Sequence, residues 1–210
     1  QNTQEIDEWR AAGNGILQSN VQPGDVRFVD RNHDGQINDK DKVNLGNGTP
    51  DFTLGLNLGF VYKGFDFSIV ANGAFGQQIV QSYRNHTRPT PNYTTAILDR
   101  WHGEGTSNRI PRVTDSNINY QFSDLFIQNG DYLRLSTLTL GYDFAKLFKG
   151  KAVSQARLYF QVQNLFIITG YDGMDPEIGF GSSNNSWVSG LDYGYYPRPR
   201  TVLVGVNLKF

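Results

Sequence analysis

Phe52-Thr53-Leu54-Gly55-Leu56-Asn57-Leu58-Gly59-Phe60-Val61-Tyr62 is the stretch that decides the fold class. In an extended chain Phe52, Leu54, Leu56, Leu58, Phe60 and Tyr62 share one face, and Thr53, Gly55, Asn57, Gly59 and Val61 share the other. Alternation of period two marks a strand with one face in an apolar medium. Lys63-Gly64 then reads as a tight turn. Beyond it, Phe65, Phe67, Ile69, Ala71 and Phe75 oppose Asp66, Ser68, Asn72 and Gly76. The spacing predicts a hairpin of strands 52–62 and 65–76.

Three more strands are expected at 132–144, 156–168 and 201–210. In the first, Leu133 and Leu135 are odd-numbered while Leu138, Leu140, Tyr142 and Phe144 are even. Either a one-residue bulge near Ser136-Thr137 reconciles the halves, or the first half lies beyond the apolar medium. In the second, Leu158, Phe160, Val162, Phe166 and Ile168 alternate with Arg157, Tyr159, Gln161 and Gln163. The last sets Val202, Val204, Val206, Leu208 and Phe210 against Thr201, Gly205, Asn207 and Lys209. The links alternate between short (63–64, 145–154) and long (77–131, 169–200), the layout of membrane barrels rather than of sandwiches. Within the long 77–131 link, Ala96 to Trp101 is expected to form one helical turn.

Composition fits this reading. Hydrophobic residues make up 38% of the 210, with Gly (23), Phe (14) and Tyr (11) plentiful. Mean hydropathy is −0.47, a value of soluble proteins, but barrel strands are only half apolar and carry a weak signal. No run approaches the roughly 18 apolar residues that a membrane helix needs. The net charge of −1 leaves no basic footprint for nucleic acid. With no cysteine, disulfides and thiolate metal sites are excluded. The polar start, Gln1 to Glu5, has no signal-peptide pattern, so a membrane protein beginning this way is expected to be processed or truncated.

A soluble β-sandwich would bury the same alternating face against a second sheet. Three features favour lipid instead. The opposite face is mostly Gly, Asn, Thr, Ser and Gln, as in a water-filled lumen. The strands run to about ten residues, enough to cross a bilayer at a tilt. Tyr62 and Tyr142 stand near strand ends, where interfacial aromatics belong. Closing a barrel takes about eight strands or more, and an open edge in hydrocarbon costs several kcal/mol per unpaired group. The five strands of this sequence therefore require others.

Several segments, in order, resemble one family, the SusC/RagA-like TonB-dependent transporters. They are Gly24-Asp25-Val26-Arg27-Phe28, Asn47-Gly48-Thr49-Pro50-Asp51-Phe52, Asp99-Arg100-Trp101 with Ile110-Pro111-Arg112, and Asn129-Gly130-Asp131-Tyr132-Leu133-Arg134-Leu135 with Leu140-Gly141-Tyr142. Asn164-Leu165-Phe166, Gly170-Tyr171-Asp172, Asp175-Pro176-Glu177 and Tyr196-Pro197-Arg198 through to Phe210 complete the series. The resemblance implies an all-β chain forming the C-terminal strands of an antiparallel transmembrane barrel of about 22 strands, with a plug in its lumen and long extracellular loops. It implies an outer-membrane importer of glycans or peptides in Bacteroidetes-type bacteria, driven by TonB through an N-terminal region. A SusD-like surface lipoprotein would lid it. The remaining barrel strands, the plug and the membrane lipid are then its partners, and no enzyme activity is expected. Val202, Val204, Val206, Leu208 and Phe210 resemble the signal read during barrel assembly. With Phe210 on the periplasmic side, parity places residues 1–51, 77–131 and 169–200 outside the cell.

One segment carries explicit chemistry. Asp30, Asn32, Asp34, Gln36, Asn38 and Asp41 take positions 1, 3, 5, 7, 9 and 12 of a calcium-type loop, with Gly35 at the sharp turn and position 7 offering its carbonyl. Asp41 stands where Glu is usual, so weaker affinity is expected. The preceding Gly24 to Val29 reads as extended, which excludes a paired EF-hand. The expectation is a structural Ca²⁺ that stiffens an outer loop; a polar turn without metal is the alternative. His33, His86 and His102 show no zinc or catalytic spacing, and no hydrolase or nucleotide motif is present. Asn47, Asn85 and Asn92 open glycosylation-type tripeptides, which are common by chance. Tyr83, Trp101, Tyr171, Trp187, Tyr193, Tyr195 and Tyr196 are candidate cargo contacts through ring stacking. The competing function is a calcium-dependent extracellular β-domain that binds glycans on its loops.

Overall fold

The computed structural model describes residues 1–11, 20–84, 94–115, 117–147, 153–178 and 188–210. Its strands are β1 (Phe52–Tyr62), β2 (Phe65–Phe75), β3 (Gln78–Gln81), β4 (Ile127–Asn129), β5 (Tyr132–Asp143), β6 (Gln155–Thr169), β7 (Leu191–Asp192) and β8 (Thr201–Lys209). The long ones form one five-stranded sheet in the order β1-β2-β5-β6-β8, with every neighbour antiparallel. At the hairpin Lys63 (φ 49°) and Gly64 (φ 91°) are both left-handed, the pair of conformations that matches strand twist in a two-residue turn.

Register aligns the apolar positions into rows across the sheet. Tyr62, Phe65, Tyr142, Leu158 and Val206 form one, and Phe60, Phe67, Leu140, Phe160 and Val204 the next. The parity slip in β5 is absorbed by a register shift between Leu135 and Thr137. Opposite it, β6 pairs Gln163 with Thr137 and Phe166 with Leu135, so Asn164 and Leu165 oppose the single Ser136, one residue extra, and Asn164 takes φ 51°. Both halves of β5 thereby keep their leucines on the apolar face, the bulge of the two readings left open by the sequence.

The apolar face is not a core. Phe60 is 62% exposed, Val204 70% and Phe210 85%, and all of β1 is exposed. What is buried among the described residues is modest: Ala74, Ile79, Phe126 and Tyr171 lie at the β3 end of the sheet and beyond, and Ala156 and Val162 lie along β6.

The chain divides into two units, Gln1–Leu45 with Arg84–Leu125, and Gly46–Tyr83 with Phe126–Phe210. The expected boundaries, 1–51 against 52–210, are corrected accordingly. Residues 46–51 join the sheet unit because the Gln78 N–H donates to the Asn47 carbonyl at 2.8 Å and the Asp51 N–H to that of Phe75 at 2.9 Å. The 77–131 and 169–200 segments are not only loop: β3 pairs antiparallel with β4 and parallel with β7 in a second small sheet. Residues 95–99 form a 3₁₀ turn where one helical turn is expected. An unforeseen helix, α1 (Thr3–Ala11), is capped by Asn2, whose side-chain oxygen accepts from the Glu5 N–H at 2.9 Å.

Candidate functional site

In the first unit, the hub is Asp25. Its fully buried carboxylate accepts from Arg112 Nε at 2.6 Å, Asn119 Nδ2 at 3.0 Å and the Gln22 N–H at 2.8 Å. Asn119 in turn accepts from the Val26 N–H at 2.8 Å, and the Arg112 N–H donates to the Gly24 carbonyl at 2.9 Å. Gly24 (φ 86°) lies under the Trp101 ring, 2.3 Å from where a Cβ would sit, so glycine is required there for both reasons. The Trp101 Nε1–H donates to the Gln1 side chain at 2.9 Å. Trp101, a cargo candidate from sequence, is thus engaged in packing.

The calcium-type loop turns at two left-handed residues, His33 (φ 58°) and Gly35 (φ 77°). Asp30 Oδ2 accepts from the Gly35 N–H at 2.8 Å, while Asp30 Oδ1 is buried with no hydrogen-bond partner. Asp41 accepts from the N–H groups of Asn38 at 2.8 Å and Arg31 at 2.9 Å, and these hold its carboxyl below the usual range. Its neighbour across the loop is the Asp30 side chain. Asn38 caps the short 3₁₀ turn 39–41 in a capping box with Asp41. Asn32 and Asp34 bond to each other at 2.9 Å, and Asp34 also accepts from the Gln36 N–H at 2.9 Å. Among the described residues no three His, Cys, Asp or Glu side chains come together as a metal cluster. An orphaned Asp30 oxygen beside Asp41 suits a cation; Asn32 and Asp34 spend their oxygens within the loop.

In the second unit, charge is concentrated on the polar face. Arg134 on β5, 5% exposed, meets Asp175 at 2.6 Å and Glu177 at 3.0 Å, the latter close in distance but outside hydrogen-bond geometry. Arg198 holds the other oxygen of Glu177 at 3.0 Å. A second cluster buries Asp192 completely; its carboxylate accepts from the Tyr171 hydroxyl at 2.5 Å and the Gly194 N–H at 2.7 Å. Burial and the Asp192 carboxylate push the Tyr171 phenol up. Near the hairpin, Arg157 clasps Asp66 through two bonds of 2.7 and 2.5 Å, laid over Gly141, where a Cβ would meet Asp66 at 2.3 Å.

The remaining aromatic candidates separate by burial. Tyr171 is 6% exposed, Tyr83 and Tyr195 are half-buried, and Tyr193 and Tyr196 are exposed, Tyr196 at 86%. Trp187, His86, Asn85 and Asn92 lie outside the described residues. The sequence reading did not single out Asp25, Arg112, Asn119, Arg134, Asp175, Glu177, Asp192 or Arg198. Most of them stand inside the ordered segments quoted above, beside Gly or Pro, and that was the available signal.

No family model matches this chain. It is 34% identical over 209 residues to TonB-dependent receptor P3 of Formosa agariphila, covering 94% of this chain and 20% of that protein. To TonB-dependent receptor SusC of Bacteroides thetaiotaomicron it is 32% identical over 197 residues, 93% of this chain and 18% of that one. The chain belongs to the SusC/RagA-like TonB-dependent receptors. It spans about a fifth of the length of the curated relatives it matches. Among solved structures, a chain of the RagAB peptide transporter superposes with a TM-score of 0.66 at 23% identity, over 90% of this chain and 20% of that one. The "open-open" state of the RagAB peptide importer gives 0.59 over 77% and 17%. At that identity the likeness concerns the fold, a mostly antiparallel sheet.

Proposed function

We propose that this chain supplies the C-terminal strands of an outer-membrane barrel of about 22 strands that imports glycans or peptides with TonB-derived energy. The remaining strands and a plug complete the barrel, and a SusD-like lipoprotein covers its outer mouth. The observation that carries this reading is the exposed apolar face. Five adjacent strands align Leu, Phe, Val and Tyr in rows left exposed by the described residues, a surface far too large and continuous for water and suited to lipid. The opposite face, with Asn57, Ser68, Thr139 and Gln161, suits a wet lumen. The role is binding and passage of cargo, with Tyr193 and Tyr196 the aromatic candidates left free to stack on it.

Leu56 and Asn57 provide the test, being neighbours near the middle of β1 on opposite faces. In the intact transporter Leu56→Arg is expected to cost about 2–4 kcal/mol at the bilayer midplane and to lower the yield of assembled barrel, whereas Asn57→Arg is tolerated. Equal tolerance of the two, scored in isolated outer membranes, would overturn the lipid assignment.

Within the same reading we assign a structural Ca²⁺ to Asp30, Asn32, Asp34, Asn38, Asp41 and the Gln36 carbonyl. The support is the orphaned Asp30 oxygen beside Asp41, and the metal would neutralise two facing carboxylates and stiffen an outer loop. Calorimetric titration of Ca²⁺ into the intact transporter is expected to show binding at about 10⁻⁴–10⁻³ M, the range of extracellular modules. Asp34→Ala removes or weakens it. Identical heats from both proteins count against the metal.

A further inference from the structure

We propose that Arg134 and Arg198 form a binding site for a carboxylate of the cargo, occupied in the free protein by the chain's own Glu177. This inference rests on the import reading above and names the chemical group that the site takes.

The site stands on the polar face of the sheet, at the end opposite the Lys63-Gly64 turn. Arg134 is the third residue of β5 and pairs with Asn72 on β2 and Ile167 on β6. Arg198 stands three residues before β8 begins at Thr201. Their guanidiniums face the two oxygens of one carboxylate. Arg134 Nε lies 3.0 Å from Glu177 Oε2, and Arg198 Nη2 lies 3.0 Å from Glu177 Oε1. A guanidinium fork matches the plane and spacing of a carboxylate, so the group already seated there shows what the site accepts.

The two acids beside Arg134 are held unequally. Asp175, 7% exposed, accepts from Arg134 Nη2 at 2.6 Å and from the Glu177 N–H at 2.9 Å, and so fixes the turn that carries both acids. The Glu177 side chain sits less well. Its Oε2 and the Arg134 Nε are both buried without a hydrogen-bond partner, although they are 3.0 Å apart. A buried donor and acceptor left out of line forgo the energy of their bond. A carboxylate free to turn into line recovers it. Glu177 is 24% exposed and Arg198 53%, so the first has a way out to water and the second is reached from it. Exchanging one carboxylate for another keeps two guanidiniums against two carboxylates, and no buried charge is stranded. Tyr196, exposed and two residues before Arg198, offers a ring to the adjoining part of the cargo.

The carboxylate could belong to a peptide C-terminus or to a uronic acid, and two pairs of probes separate them. Calorimetry on the intact transporter compares penta-alanine with its C-terminal amide, and tri-galacturonic acid with its methyl ester. Wild type is expected to bind the free acid of one pair about tenfold or more tighter than its masked form, as one charge-assisted bond implies. That pair names the source. Arg198→Gln is expected to abolish the preference. Glu177→Gln is expected to tighten the acid alone about threefold or more, a gain that misfolding does not produce. Arg109→Gln, in the other unit, leaves binding unchanged. Insertion of the same protein into lipid vesicles is scored alongside. Insertion with acid and masked forms bound equally in both pairs, or with the preference intact in Arg198→Gln, overturns this inference alone. Failure to insert overturns the membrane reading and this inference with it.

Discussion

Arg134→Met is expected to destabilise the sheet unit by about 3–5 kcal/mol, the cost of leaving buried charge without its counter-ion. Arg134 and Asp175 are 5% and 7% exposed and 2.6 Å apart, with Glu177 at 3.0 Å on the same guanidinium. Removing the cation strands two carboxylates, and only Arg198, itself half exposed, remains to face Glu177. Those carboxylates tie residues 175–177 to β5, and that tie is released. Two measurements check this in the full-length protein: the temperature at which the folded form is lost in detergent, and protease cleavage between residues 170 and 178. A lower midpoint and faster cleavage are expected. Adding Asp175→Asn and Glu177→Gln to Arg134→Met should restore part of the loss, because the stranded charge goes with them. If the triple variant is worse than the single one, uncompensated charge is not the cause.

Asp25→Ala is expected to have an effect of similar size, about 3 kcal/mol, in the first unit. Its carboxylate has no exposure and gathers Arg112, Asn119 and the Gln22 N–H. Without it these donors are buried or half-buried and unpaired. The local readout is hydrogen exchange at the Val26 and Arg112 N–H groups, whose partners are Asn119 Oδ1 and the Gly24 carbonyl. Loss of about 3 kcal/mol speeds their exchange about a hundredfold when opening is local. Asp25→Asn keeps an acceptor but not the charge, and it should fall between the two. Unchanged exchange in Asp25→Ala would mean that these segments are held by something else, with the Trp101 stack over Gly24 as the first alternative.

The candidate sites were legible to different depths. The parity slip at Ser136-Thr137 was visible because alternation is a local property, and the register shift appears at the same place. The small sheet was not visible. β3 has four residues and β7 two, and their parallel pairing joins Val80 to Leu191 across the chain, too short and too distant for any periodic signal. The calcium-type loop was legible as a spacing of oxygens. Which of those oxygens point inward was not, since Asn32 and Asp34 bond to each other while Asp30 Oδ1 is left bare.

Tyr171 and Tyr196 show the division most plainly. From sequence both are loop aromatics next to a motif, and both are candidates for stacking. In the structure one is sealed against Asp192 and the other is almost wholly exposed. The sequence by itself determined the strands and their apolar face, because a period of two needs only neighbouring residues to be read. Only the tertiary structure decided which charges are paired and which aromatics are exposed. Those depend on residues tens of positions apart being brought within about 3 Å, and no local pattern records such distances.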